Sequence, residues 1–156
     1  MVSLKYLGEE FENSMDEFDF WFDRETEQVI FVDTYNYSFD DDDEDNGESK
    51  HATDKEYLYN KNNDRLIKNN PGRFVQLPSK YELHEWQIMS DFVEEMPDGG
   101  PKEDLRDSIQ GKGAFRNFRY MVERLYLLEN WYAFKSAAYR DKAREWCEDN
   151  DIAYTE

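Results

Sequence analysis

The sequence predicts an α+β fold, with an N-terminal antiparallel β-hairpin or small sheet followed by a C-terminal bundle of about three to four helices. Two observations predict it. Alternating or β-branched apolar runs occur before residue 79, and apolar residues at helical spacing recur after it. Because 156 residues is the size of one compact domain, we expect a single domain over 1–156, with a β-rich acidic part at 1–78 and a helical part at 79–156.

The front part carries the pattern of a β-hairpin. Phenylalanines occupy every second position over residues 18–23, which is typical of a half-buried strand, and residues 29–32 form a β-branched apolar run. The short polar segment 24–28 is predicted to be the loop between these two strands. Aromatic residues alternate once more over 35–39 and allow a third strand.

An acidic segment follows. We predict an exposed loop over residues 40–50, because neighbouring like charges repel and few apolar side chains are available to offset the ordering of the backbone. Residues 56–59 begin either a strand or a short helix. After a break at 69–72, residues 73–78 are predicted to be a short extended piece.

The back part carries helical signals. Ser79 and Glu82 form a capping box, which predicts a helix from about Lys80, and Pro101 suits the first turn of a second helix that runs to Ile109. Two more helices follow Gly113. The predicted apolar stripes are Tyr81, Ile88, Met89, Phe92 and Met96 in the first helix; Phe115, Phe118, Val122, Leu125 and Leu128 in the third; and Tyr132, Ser136, Tyr139, Ala143, Trp146 and Cys147 in the last.

The charge of the chain restricts its partners. The net charge is -18, and residues 1–60 contain 19 acidic residues against 4 basic ones. This charge opposes direct binding to nucleic acid or to an anionic membrane, and it favours a protein partner, which could be basic. The candidate partner-binding residues form one acidic run: Asp40, Asp41, Asp42, Asp43, Glu44 and Asp45.

Cysteine and histidine are scarce. The single cysteine, Cys147, falls on an apolar helical face and is predicted to be a core residue, and two histidines are too few to build a metal centre without many carboxylates. We predict no metal, no cofactor and no catalytic set. Because the N-terminus lacks the apolar core of a signal peptide and no run is long enough to span a membrane, we expect a cytoplasmic protein.

Three segments of the back part carry a family resemblance: residues 111–119, residues 131–134 and residues 145–152. The Gly-x-Gly-Ala-Phe-Arg and Trp-Tyr-x-Phe motifs in them resemble the C-terminal signature of uncharacterised bacterial protein family 0158. The resemblance covers roughly residues 16–153, with Asn117 and the heavy acidic run as departures. It implies a shared fold and a bacterial or phage setting, and no catalytic residues come with it.

The same region holds a candidate ligand site. Gly111 and Gly113 precede a helix whose first amide groups could bind an anion, helped by three basic residues, and aromatic residues nearby could stack on a base. These residues are Lys112, Arg116, Arg119, Trp131 and Tyr132. The structural interpretation is a sharp connection between helices, with basic side chains that pair with acids or cover aromatic surface.

Three functional hypotheses follow from the sequence. We favour a non-enzymatic cytosolic interaction or regulatory protein, because no chemical motif is complete. The alternatives are an acidic mimic of nucleic acid that binds a basic partner, and an enzyme or binder of a phosphorylated ligand at the 111–119 helix start.

Overall fold

The computed structural model describes residues 1–33 and 55–156 and has an α+β architecture. Its strands are β1 (Val2–Ser3), β2 (Asp19–Asp23), β3 (Gln28–Val32), β4 (Phe74–Gln76) and β5 (Tyr154–Thr155). Its helices are α1 (Leu4–Asn13), α2 (Lys55–Asn69), α3 (Lys80–Leu83), α4 (Glu85–Glu95), α5 (Gly100–Ser108), α6 (Ala114–Arg124) and α7 (Leu128–Asp149).

The larger sheet contains three antiparallel strands in the order β3-β2-β4. The predicted hairpin is confirmed as β2 and β3, with Phe20 opposite Phe31. The third strand of this sheet is β4, from the segment predicted to be extended, whereas the strand suggested at 35–39 and the acidic loop at 40–50 lie outside the described residues. A second, two-stranded sheet pairs β1 with β5 in parallel.

The β4 edge of the larger sheet has no neighbouring strand in the part of the chain that the structure describes. Two backbone bonds flank β4, from Leu77 N–H to the Phe20 carbonyl (2.9 Å) and from Arg24 N–H to the Arg73 carbonyl (3.0 Å). Directly opposed antiparallel residues alternate between bonded and non-bonded pairs, so β4 turns the N–H and C=O groups of Phe74 and Gln76 away from β2. We call this side the open edge, because no described residue hydrogen-bonds to these outward groups.

The β3 edge is sealed by side chains of two helices. The Tyr6 hydroxyl of α1 accepts a hydrogen bond from Val29 N–H (2.9 Å). From α2, the Asn63 amide donates to the Phe31 carbonyl (3.1 Å), and the buried Asn60 accepts from Asp33 N–H, just beyond the strand (2.8 Å). We call this side the sealed edge.

Two helices correct the expectation that residues 1–78 are mainly β-structure. Helix α1 starts after Ser3, whose hydroxyl accepts from Tyr6 N–H, and it buries Leu4, Leu7 and Phe11 on one face. Its Gly8 lies directly against α7, since a Cβ there would be 3.3 Å from the Arg140 backbone nitrogen. Helix α2 extends over 15 residues, which decides between the strand and the short helix left open for 56–59.

The capping box is confirmed, but the helix after it is interrupted. The Ser79 hydroxyl accepts from Glu82 N–H, and the Glu82 carboxylate accepts from Ser79 N–H, each at 3.2 Å. His84 then adopts a left-handed conformation (φ 52°) and separates α3 from α4. Because of this break, Tyr81 does not share the buried face of Ile88, Met89 and Phe92; its predicted core position is wrong, and it is 82% exposed.

The last two helices keep most of their predicted stripes. Phe118 and Val122 of α6 are buried, whereas Phe115 is exposed at the first turn and Leu128 begins α7 instead of ending α6. On α7, the residues Tyr139, Ala143, Trp146 and Cys147 are buried, and Trp131 takes the inward position that had been assigned to Tyr132. The long helix α7 packs along α1 and forms the centre of the core.

Candidate functional site

A cleft of about 340 Å³ lies where the end of α1, the start of β2 and the β4–α3 connection meet. We call it the acidic cleft. It is lined by Ser14, Met15, Asp16, Phe18, Asp19, Phe20, Gln76, Leu77, Pro78, Ser79, Lys80, Glu82 and Trp146. Residues that are far apart in the chain therefore form one concave surface next to the open edge.

Three carboxylates surround the cleft. Asp16 accepts the backbone N–H of Lys80 (3.3 Å) and so ties the α1–β2 loop to the start of α3. Glu82 is held by the capping box, and Asp19 begins β2. The Asp16 and Glu82 carboxylates each have several acceptor sites, so these structural bonds leave acceptor capacity for a donor that enters the cleft.

Lys80 is the cationic residue among those lining the cleft, and its ammonium group is used within the fold. The Nζ group donates to the backbone carbonyls of Phe11 and Glu12, the last turn of α1, where the helix dipole favours a positive charge. It also lies 5.4 Å from the centre of the Tyr139 ring. Burial lowers the pKa of Lys80 from its usual value, although Glu85 opposes this effect. The cleft therefore presents mainly negative charge.

Polar side chains of α1, α4 and α7 form a network next to Lys80. Lys135 forms an ion pair with Glu12 (3.1 Å), and the hydroxyl of the fully buried Tyr139 donates to Glu85 (3.1 Å). Burial raises the pKa of Tyr139 above its usual range, and the neighbouring Glu85 carboxylate adds to this effect. The phenol thus stays neutral and fixes the position of Glu85, so the network joins α1, α4 and α7 behind the cleft.

Aromatic rings continue from the cleft across the sheet. The rings of Phe18, Phe20 and Phe31 lie 5.4 to 6.3 Å apart, and Tyr59 of α2 follows at 5.2 Å from Phe31. Phe31 and Tyr59 are 37% and 43% exposed. We call these four residues the aromatic ridge. At the other end of the cleft, Trp146 packs edge-on against Phe11 and Phe22.

An ion pair between Arg73 and the buried Asp23 fastens β4 to β2. Arg73 donates from Nε and from a terminal nitrogen to the two carboxylate oxygens of Asp23, both at 2.8 Å. The same carboxylate accepts from Glu25 N–H and from the Thr26 hydroxyl in the hairpin turn. The hydrogen-bonded Arg73 guanidinium lowers the pKa of Asp23 to about 2, against the opposing effect of burial.

The basic residues predicted as an anion site lie on the surface around the start of α6. Lys112 and Arg116 are exposed around Gly113, whose left-handed conformation (φ 75°) turns the chain into α6. Arg119 forms an ion pair with Glu123 (3.2 Å), and its guanidinium lies 5.5 Å from the centre of the Tyr132 ring. Arg119 is therefore engaged with both an acid and an aromatic ring.

The two aromatic candidates have different environments. Trp131 is 4% exposed and packs edge-on against Phe118 (4.8 Å) and Phe92 (5.5 Å), so little of its ring is available for stacking. Tyr132 is 41% exposed, and both Arg119 and Lys135 lie near its ring. Only Tyr132 of this pair offers surface to a ligand.

The remaining predictions concern the acidic run, a metal site and Cys147. Asp40, Asp41, Asp42, Asp43, Glu44 and Asp45 lie outside the described residues. Within 1–33 and 55–156, no three His, Cys, Asp or Glu side chains are grouped closely enough to hold a metal ion. Cys147 is fully buried, which confirms its place in the core, and burial raises the pKa of its thiol to about 11.

A second pocket, of about 510 Å³, lies between α4 and α7. It is lined by Phe92, Glu95, Met96, Pro97, Leu127, Asn130, Ala133 and Phe134. Although it is larger than the acidic cleft, it is mainly apolar and includes a single carboxylate. The acidic cleft, in which several polar groups converge, is therefore the better candidate for specific binding.

The residues of the acidic cleft were not predicted from the sequence as a site. Asp16 and Asp19 belong to the acidic front part, but Glu82 follows them by more than 60 residues and had been assigned only a capping role. The excess of acidic residues over 1–60 was the signal that the sequence offered. It indicated that a binding site would be negatively charged, but it did not indicate which residues would form that site.

Fold and site together define an acidic α+β protein with a carboxylate-rich cleft beside a small sheet. The chain belongs to the uncharacterised protein family UPF0158, which it matches over residues 1–156. It is 29% identical over 90 residues to UPF0158 protein PA5073 of Pseudomonas aeruginosa; this alignment covers 57% of the chain and 59% of that relative. The chain thus spans about three fifths of the relative's length.

No solved structure matches this chain. None of the helices within 1–33 and 55–156 combines the length and the apolar character that crossing a bilayer requires. The family description assigns no activity, so a functional argument rests on the chain's own residues.

Proposed function

We propose that this chain is a non-enzymatic regulatory protein of the bacterial cytoplasm, which binds a basic segment of a protein partner in the acidic cleft. One observation carries the proposal: Asp16, Asp19 and Glu82 surround an aromatic cavity, while Lys80 directs its charge to the end of α1. Carboxylates beside aromatic rings suit an arginine side chain, because a guanidinium group can bond to the acids and stack on a ring.

Two features of the whole molecule support a basic partner. The net charge of -18 attracts a cationic partner over a distance and speeds its association. The aromatic ridge adds exposed apolar surface next to the carboxylates, so a segment with both basic and apolar residues would gain contacts along it. We propose binding rather than chemistry because Asp16, Glu82 and Lys80 are each held by hydrogen bonds within the fold.

A phosphorylated ligand at the start of α6 is the second candidate. The first turn of α6 contains no acidic residue, and Lys112 and Arg116 are exposed beside it. Arg119 already pairs with Glu123, which leaves fewer charges for an anion. A titration with inorganic phosphate that raises the melting temperature, and loses this effect in Lys112→Ala/Arg116→Ala, would favour this candidate.

The test of the main proposal uses a blocked peptide of alternating arginine and threonine, labelled for fluorescence anisotropy. Neutralising the cleft by Asp16→Asn, Asp19→Asn and Glu82→Gln should weaken binding at least about tenfold, which corresponds to ~1.4 kcal/mol. The control replaces three exposed acids elsewhere, by Asp104→Asn, Asp107→Asn and Glu145→Gln, and so changes the net charge equally.

The control should bind the peptide nearly as well as the wild type. If the peptide does not bind the wild type, or if both triple variants lose the same affinity, the cleft is not the binding site. In the second case, the net charge alone accounts for the attraction.

A further inference from the structure

The open edge of the sheet lies next to the acidic cleft. Gln76 belongs to both, since it is the last residue of β4 and also lines the cleft. In the ladder, Phe74 and Gln76 direct two N–H and two C=O groups away from β2, and no described residue bonds to them. Unpaired groups at a sheet edge are a template for another extended chain.

We infer that the open edge binds the basic segment as an added β-strand, with arginine or lysine side chains directed into the acidic cleft. The inference rests on the proposed function and adds the conformation of the bound segment. Main-chain hydrogen bonds to Phe74 and Gln76 would hold the segment, and the carboxylates of the cleft would select its basic side chains.

The pleat of the sheet determines which side chains reach the cleft. Val75 lies opposite Phe22, and Phe20 lies two residues from Phe22, so these three side chains share one face. The cleft is lined by Phe20 from that face. In an added strand, every second side chain would lie on this face, so alternate basic residues would point toward the part of the cleft formed by Phe20, Asp16 and Glu82.

Charge identifies the occupant as a basic segment and opposes a second copy of this chain. The cleft end of β4 is bordered by carboxylates, while the guanidinium at its other end, Arg73, is already engaged with Asp23 and Glu25. A strand from another copy would bring more negative charge to this edge, because each chain carries -18. Pro78 lacks an N–H group and limits the pairing to a short strand.

The experiment uses Gln76→Pro and Gln76→Ala with the alternating arginine and threonine peptide. Proline at 76 removes an outward N–H and no ladder bond, because that N–H points away from β2. We expect Gln76→Pro to bind the peptide at least about tenfold more weakly than Gln76→Ala, which removes the same side chain but keeps the N–H. Melting temperatures establish that both variants are folded.

A second measurement does not depend on the fold of a variant. Peptides that are N-methylated at one set of alternate residues, or at the other set, are titrated against the wild-type chain. An added strand pairs through only one set, so one methylated peptide should lose affinity and the other should keep it.

The outcomes separate this inference from the proposed function. If Gln76→Pro binds like Gln76→Ala, or if the two methylated peptides bind equally, strand addition is overturned. If strand addition is overturned but the Asp16→Asn, Asp19→Asn, Glu82→Gln variant still binds the peptide more weakly, the proposed function stands and only the strand conformation is rejected. If the unmodified peptide does not bind the wild type, both proposals fail.

Discussion

On the β3 side of the small sheet, Tyr6, Asn60 and Asn63 bond to backbone groups of the strand and of the residue after it, whereas on the β4 side no described residue bonds to the outward groups of Phe74 and Gln76. Exposed edges promote self-association, and proteins commonly cover, charge or shorten them. Here one edge is covered by two helices. The other is short and lies beside carboxylates, which oppose pairing with an anionic chain, and this is the edge at which we propose that a cationic chain binds.

The ion pair that fastens β4 gives the largest expected effect. Among the strands within 1–33 and 55–156, β4 pairs with β2 alone, and the Asp23–Arg73 pair reinforces this attachment. The Asp23 carboxylate is 4% exposed, and Arg73→Ala removes the guanidinium that pairs with it. We therefore expect the free energy of unfolding to fall by about 3 kcal/mol. Denaturant unfolding measures this loss.

The control is Arg106→Ala, which removes a partly exposed arginine from its pairs with Glu94 and Glu103. That variant should lose no more than about 0.5 kcal/mol. Equal losses in the two arginine variants would mean that the ion pair does not hold the β4 edge in place.

The same ion pair makes the free energy of unfolding depend on pH. Because the pKa of Asp23 falls from an ordinary 3.8 to about 2 on folding, its stabilisation is complete above the ordinary value and is lost as the pH falls toward 2. The lost part should be about 2 kcal/mol, at 1.36 kcal/mol for each pKa unit. Urea unfolding at a series of pH values should show a shallower dependence in Asp23→Asn. An unchanged dependence in that variant would contradict the assignment.

On the sealed edge, Asn60 gives the next largest effect. Its buried amide accepts from Asp33 N–H and donates to the Glu56 carbonyl. Asn60→Ala should cost about 1.5 kcal/mol of unfolding free energy, because it removes two partners of buried or part-buried backbone groups. Asn63→Ala, at a more exposed bond, should cost about 0.5 kcal/mol. The comparison fails if the two asparagine variants are equally stable.

A smaller effect than at Asn60 is expected at Tyr6. Tyr6→Phe keeps the ring but removes the hydroxyl that accepts from Val29 N–H, so the loss should be about 1 kcal/mol, with faster hydrogen exchange at Val29. Gln76→Ala, on the open edge, removes no side-chain hydrogen bond to the sheet among the described residues, and it should leave the stability within about 0.5 kcal/mol of the wild type. If Tyr6→Phe exchanges like the wild type at Val29, the hydroxyl does not seal this edge.

Local signals in the sequence predicted much of the fold. The hairpin, the capping box at Ser79 and most of the stripe on α7 follow from short-range patterns, and each is found. Helix α1 was missed although Leu4, Leu7 and Phe11 have helical spacing and Ser3 can cap them. Its burial depends on the approach of α7 at Gly8, and no local pattern predicts which distant helix packs there.

The candidate site was less accessible to sequence reasoning. Asp16 and Glu82 converge because Asp16 bonds to the first turn of α3, a contact between segments far apart in the chain. Similarly, Tyr81 was misplaced because the left-handed residue His84 rotates one turn of helix away from the next. The single-domain interpretation of residues 1–156 and the role of the acidic run at 40–45 stay predictions.

Because Cys147 is fully buried, the reactivity of its thiol reports on internal motion of the protein. Its thiol is fully buried and has a pKa near 11, so reagents that require a thiolate react with it only when the surrounding helices separate. The alkylation rate of the native protein therefore measures how often the core around α7 opens. A ligand that slows this reaction can be detected without attaching a dye or adding a residue.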